Sequence, residues 1–187
     1  LMPFYGRVQR GKWDFAPHKG LQGMRLAFAG RDIGYSVVTT QLPKSEAEVL
    51  FLRCPELFDR EAIYTWDRDE HVRFGLLSRA AMEICQWLQW SPDILHCNDW
   101  HTGLTPLYLK AAYAWDRLFE RTRTVLTIHN IGYQGVFPAD ALHELGLLVL
   151  FERRGRRLRP RRLLLVPRAP LVRPLRVRRQ PAHHRRE

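Results

Sequence analysis

The sequence predicts an α/β domain built on a Rossmann-like, doubly wound parallel sheet, and two stretches of it carry that prediction. The first is Asp93-Ile-Leu-His-Cys-Asn-Asp-Trp-His-Thr-Gly-Leu104, and the second is Thr124-Val-Leu-Thr-Ile-His-Asn-Ile-Gly-Tyr-Gln-Gly-Val-Phe137. Each is a short apolar run that ends abruptly in hydrogen-bonding residues. A buried parallel strand has this pattern where its carboxyl end opens into a ligand cleft. A helical segment lies between the two, so they make one right-handed βαβ unit. Asp99, His101, His129 and Asn130 then fall along one edge of the sheet and line one wall.

The remaining elements follow in chain order. Residues 1–23 carry Gly6, Gly11, Gly20, Gly23, Pro3 and Pro17 and read as a loop leaving a strand. Residues 24–29 and 35–42 alternate apolar and polar, with a Gly-bounded segment, 30–34, between them, which predicts a β-hairpin. Residues 48–54 are a further strand, ended by Pro55. From 69 to 90 the apolar residues Val72, Leu76, Leu77, Ala80, Ala81, Ile84, Trp87 and Leu88 recur at helical spacing. Residues 94–96 are a short buried strand. Residues 102–120 read as a second helix, 124–129 as the next strand and 139–145 as a short helix. Helix, strand, helix, strand in this order is what a doubly wound sheet requires.

Composition excludes several classes. With 45% hydrophobic residues in 187, most of the chain should bury a core. No apolar run approaches a bilayer span, and the first residues do not read as a secretory leader. Three cysteines, Cys54, Cys85 and Cys97, lack paired or metal-type spacing and suit a reducing, cytoplasmic compartment. The net charge of +11 is unevenly placed. Residues 152–187 hold fourteen Arg and two Glu, a balance of +12, so residues 1–151 sum to −1. Any argument from charge to nucleic acid concerns that tail alone.

The tail, 151–187, breaks the patterns of residues 1–150. Residues 152–187 contain no Asp, Lys, Phe, Tyr or Trp, and five prolines interrupt any long helix. The tail reads as non-globular. Two origins fit: a frameshift near residues 148–152 in a GC-rich gene, or a natural basic disordered segment.

Among candidate site residues, His129 stands at the end of an apolar strand, where a ligand would lie. A neutral imidazole both donates and accepts hydrogen bonds; the alternative is a satisfied core histidine. Asp99 follows a strand and precedes a helix, which fits either a carboxylate facing the cleft or a helix N-cap. Trp100 and Tyr133 offer flat faces, with ordinary packing the stronger alternative for Trp100. His96, Asp99 and His101 do not share the spacing of a metal site, and none is expected. Arg73 beside Phe74 reads as structural.

The strings Leu57-Phe-Asp-Arg60, Val72-Arg-Phe-Gly-Leu-Leu-Ser-Arg-Ala-Ala81, His96-Cys-Asn-Asp-Trp-His-Thr-Gly-Leu104 and Thr127-Ile-His-Asn-Ile-Gly-Tyr-Gln-Gly135 closely resemble the bacterial glycogen synthase and plant starch synthase family, over about residues 1–148. The resemblance implies an ADP-glucose-dependent, retaining α-1,4-glucan synthase of the two-domain GT-B architecture. The chain would be a partial amino-terminal half, incomplete at both ends. By the same resemblance Asp99 and His129 are catalytic, and His96, Trp100, His101, Asn130, Tyr133 and Gln134 bind substrate. The family's Lys-x-Gly-Gly-Leu loop and second domain have no counterpart in the sequence, so the fragment itself should be inactive. No cofactor is expected beyond the donor ADP-glucose. The expected partners are that donor and an α-1,4-glucan, with no membrane and no specific nucleic acid. The location would be the bacterial cytoplasm, or a plastid in a plant. A different GT-B glycosyltransferase, or a basic binding module acting through the tail, are the alternatives.

Overall fold

The structure, a computed structural model, describes residues 1–8 and 11–147 and the backbone of Arg162–Leu164. The chain opens with two short strands, β1 (Met2–Pro3) and β2 (Ala16–Pro17), then β3 (Met24–Phe28), β4 (Arg31–Gln41) and β5 (Glu48–Arg53). These form one sheet in the order β1-β5-β4-β2, with β3 also on β4. The β1–β5 pair is parallel; β4 is antiparallel to β2, β3 and β5.

The hairpin is tighter than the glycine spacing suggests. Met24 pairs with Tyr35 and Phe28 with Arg31, so the connection is Ala29-Gly30 alone. Both residues have positive φ, 54° and 72°, as a two-residue turn of the primed type requires. Residues 31–34 therefore belong to β4, because Ile33 continues the inward alternation of Tyr35 and Val37.

A single helical turn, α1 (Pro55–Phe58), follows, and then the long helix α2 (Glu70–Trp87). Its end is a Schellman closure: Trp90 N donates to Cys85 O and Gln89 N to Gln86 O, with Gln89 at φ +50°. After α2 come β6 (Ile94–Asn98), a 3₁₀ turn at Trp100–Thr102, α3 (Thr105–Ala111), a second 3₁₀ turn at Arg117–Phe119, and β7 (Arg123–Thr127). The helix expected over 102–120 is thus confined to α3. The chain breaks off where side chains compete for backbone groups: Trp115 Nε1 donates to Ala112 O, and the Asp116 carboxylate accepts from Leu118 N at 2.9 Å.

β6 and β7 are parallel and in register from Ile94–Arg123 to Asn98–Thr127, the βαβ unit read from the sequence. Cys97 is buried and Leu95 partly so, whereas Ile94, His96 and Asn98 face outward. α2 packs against α3 and the Trp100–Thr102 turn. The core joins the hairpin residues Leu26, Phe28 and Ile33 to Phe74, Leu77 and Met82 of α2 and to Leu142 and Leu145. Full burial of each such side chain stabilises by about 1.5–3 kcal/mol. Gly75 lets these layers meet, since a Cβ there would stand 2.8 Å from the Phe28 ring and closer still to Leu145.

β8 (Val136–Pro138) and α4 (Ala141–Glu144) close the body. Arg162–Leu164 form β9, antiparallel to β8. This is where the tail carries its longest apolar run, Leu163-Leu-Leu-Val166, whose composition suits a strand better than the surrounding Arg and Pro do. The rest of the tail, with the frameshift question, lies outside the described residues. No helix among the described residues is long and apolar enough to cross a membrane.

Candidate functional site: the carboxyl ends of two parallel strands

Register brings the two motifs together. With Asn98 opposite Thr127, the residues that leave β6 and β7 emerge side by side. Asp99 N donates to Thr127 O at 2.8 Å, extending the ladder by one bond. The Asp99 carboxylate does not cap the following turn. It reaches instead to the segment leaving β7, where Oδ1 accepts the backbone N–H of His129 at 2.7 Å. Asp99 itself stands at φ +56°, ψ −175°, a region that is nearly glycine's alone. Such a conformation costs about 1–3 kcal/mol and persists only where neighbours hold it. Here the bonds to Thr127 O and His129 N do so, with Thr102 Oγ1 donating to Asn98 O at 2.9 Å.

The His129 ring is exposed, and its Nε2 lies 3.0 Å from Asn98 Oδ1. One step back, His96 Nε2 meets Thr127 Oγ1 at 2.7 Å. Beyond His129 the chain turns sharply. Asn130 Oδ1 accepts from Gly132 N, and Gln134 Nε2 donates to Ile131 O, leaving Tyr133 69% exposed.

The other two predicted residues are placed differently. Trp100 is 7% exposed and packs on Phe74 and Phe137, which leaves little of its face to a ligand. His101 is stacked among Trp100, Phe74 and Tyr64, at ring separations of 4.1, 4.5 and 5.2 Å. Its Nε2 is enclosed without a hydrogen-bond partner. Burial pushes its pKa down to about 4, against the opposing pull of the Asp99 and Glu70 carboxylates.

Three residues of this neighbourhood escape the sequence reading. Asn98 and Thr127 hold the two histidines, and strand alternation alone would have put Asn98 on the face of His96. The third, Tyr64, is 64% exposed and rests on His101. Its loop is strapped down from α2. Arg73, fully buried between Phe58 and Phe74, donates to Leu57 O, Ile63 O and Glu70, and Glu70 in turn accepts from Thr65. Arg60 bridges Asp67 and Asp69.

The assembled surface offers one carboxylate, two imidazoles, amides and a tyrosine face, suited to a polyhydroxylated ligand. It is an open wall, not an enclosed pocket. A cavity of about 740 Å³ lies elsewhere, beside Tyr113, Trp115 and Arg123 at the amino end of β7. Among the described residues no three His, Cys, Asp or Glu side chains come together as a metal site requires.

A parallel-strand α/β unit with its polar residues gathered at the carboxyl ends belongs to the class of α/β domains that bind ligands at that edge. Comparison with known proteins makes this specific. Residues 1–157 match the starch synthase catalytic domain, and the chain belongs to that family. It is 35% identical to glycogen synthase of Aeromonas salmonicida (strain A449) over 166 residues, covering 82% of this chain and 32% of that protein. Glycogen synthase of Desulforudis audaxviator (strain MP104C) is 49% identical over 92 residues, 49% of this chain and 18% of the relative. Among solved structures, the catalytic domain of starch synthase IV from Arabidopsis thaliana, bound to ADP and acarbose, superposes with a TM-score of 0.71 at 27% identity. That match covers 88% of this chain and 34% of the other. The fold is therefore part of a GT-B catalytic domain, and the matched region spans about a third of the length of the Aeromonas salmonicida and Arabidopsis thaliana proteins.

Proposed function

We propose that this chain supplies one wall of the active site of a retaining glucosyltransferase that extends an α-1,4-glucan from ADP-glucose. In the reaction the anomeric carbon of glucose leaves the ADP phosphate oxygen and joins the 4-hydroxyl at the glucan's non-reducing end. The observation that carries the reading is the Asp99–His129 juncture, built by two adjacent parallel strand ends. In this reading His129 hydrogen-bonds a hydroxyl of the transferring sugar. The Asp99 oxygen not engaged with His129 N stabilises positive character at the sugar carbon. His96, Asn130, Tyr133 and Gln134 meet substrate directly, while Trp100 and His101 support them from behind. No cofactor beyond the sugar nucleotide takes part. A cytoplasmic location goes with this reading, and the three cysteines are free and buried.

Chemical-shift mapping of the chain during titration with maltoheptaose and, separately, ADP-glucose tests the wall. Shifts concentrated at His129, Asn130 and Tyr133 are expected. Shifts confined to residues remote from the ends of β6 and β7, or none at millimolar ligand, would overturn it.

A further inference from the structure

We propose that Asn98 is a positioning residue: it holds the His129 ring with the proton on Nε2, so that Nδ1 presents a lone pair to a ligand hydroxyl. The inference rests on the glucosyltransferase reading for the identity of that hydroxyl, but not for the geometry. Asn98 Oδ1 lies 3.0 Å from His129 Nε2, and an amide oxygen can only accept. The proton of that contact therefore belongs to the imidazole, which leaves Nδ1 as the acceptor.

Asn98 is itself held in place. It is the last residue of β6, opposite Thr127 in the parallel ladder, and its carbonyl receives the Thr102 hydroxyl at 2.9 Å. Its neighbour Asp99 fixes the backbone of the same histidine through the 2.7 Å bond to His129 N. The last residue of β6 and the one after it thus anchor His129 at ring and main chain. His96 makes a useful contrast. Its Nε2 contact is Thr127 Oγ1, a hydroxyl that donates or accepts equally well and so selects no tautomer. Of the two histidines at this edge, only His129 has its polarity set by its partner. A sugar hydroxyl that donates to Nδ1 keeps its oxygen lone pairs for other donors, so the tautomer would select which hydroxyl can be read.

Long-range ¹H–¹⁵N spectra of the chain, recorded across pH, test this with no ligand and no turnover. The unaltered chain should show His129 as the Nε2–H tautomer. Asn98→Asp should raise the His129 titration midpoint by about one pH unit or more, as a carboxylate at that distance favours imidazolium. Asn98→Ala should raise the Nδ1–H population and leave the midpoint lower than in Asn98→Asp. His96, whose partner is untouched, reports in every sample that the strand ends remain folded. An Nδ1–H tautomer in the unaltered chain, or an Asn98→Asp midpoint that does not move while His96 is unchanged, would overturn the assignment. A ring held as Nε2–H that ignores maltoheptaose supports the positioning role and counts against the glucan reading alone.

Discussion

Asp99 combines a strained backbone with a carboxylate that has one oxygen engaged and one remaining. Substitution separates these features. Asn keeps an oxygen to accept the His129 N–H and tolerates positive φ better than most residues, so Asp99→Asn should leave stability within about 0.5 kcal/mol. Asp99→Ala removes the acceptor and should cost roughly 1 kcal/mol or more by urea denaturation. Equal losses would mean that the bond to His129 contributes nothing. His101 gives a pH dependence. Its folded pKa of about 4 lies below the ordinary value of 6.5, so the unfolded chain binds a proton that the folded chain refuses. The contribution is whole above about pH 6.5 and is lost as pH falls toward 4. The melting temperature should fall between pH 7 and pH 4.5, and His101→Phe should flatten part of that fall; identical slopes would disprove it. Asp99 and His129 were legible in the sequence because each ends an apolar run. The alternative of a helix cap for Asp99 was also legible, and it is the backbone of the adjacent strand that takes the carboxylate instead. The face of Asn98 was legible from alternation with His96, but its partner was not, because the register that brings His129 within reach is specified only by the fold.

At the level of elements, α2 does more than cover the sheet. Arg73 reaches from it to hold the loop that carries Tyr64, and its partner Glu70 is buried with it. Arg73→Met leaves that carboxylate without its cation and should destabilise by about 3–5 kcal/mol in chemical denaturation. Adding Glu70→Gln should recover part of the loss; if it deepens the loss instead, the pair is not the cause. At the other end of α2, Gln89 occupies a left-handed position that glycine fills without steric cost. Gln89→Gly should raise stability by up to about 1 kcal/mol, and a lower melting temperature would count against the strain. The extent of α2 was readable from its apolar spacing to within a few residues. The second helix was overestimated, since periodicity does not register the local side-chain bonds at Ala112 and Asp116 that end it. The hairpin was read correctly as a hairpin, but its turn was misplaced: glycines were visible, and the positive φ of Ala29 was not.

Across the whole molecule, the Aeromonas salmonicida and Arabidopsis thaliana relatives are about three times as long as this chain. The purified chain should therefore transfer no labelled glucose from ADP-glucose to glycogen above background, and robust incorporation would refute the proposal that this is one wall of a larger site. The βαβ unit and its polar edge could be read from sequence because strand ends announce themselves in composition. The pairing of β9 with β8 could not, as it joins segments about twenty-five residues apart through backbone bonds. The β6–β7 pair is covered on one side only. Its inner face is packed, but its outer face carries Ile94 at 59% and Val125 at 46% exposure. Wet, paired apolar strands of this kind recruit further copies as concentration rises. In solution the chain should scatter light above a threshold concentration, and Ile94→Lys with Val125→Thr should raise that threshold severalfold, so that the handling of the protein at the bench is governed by the side of the sheet its helices leave bare.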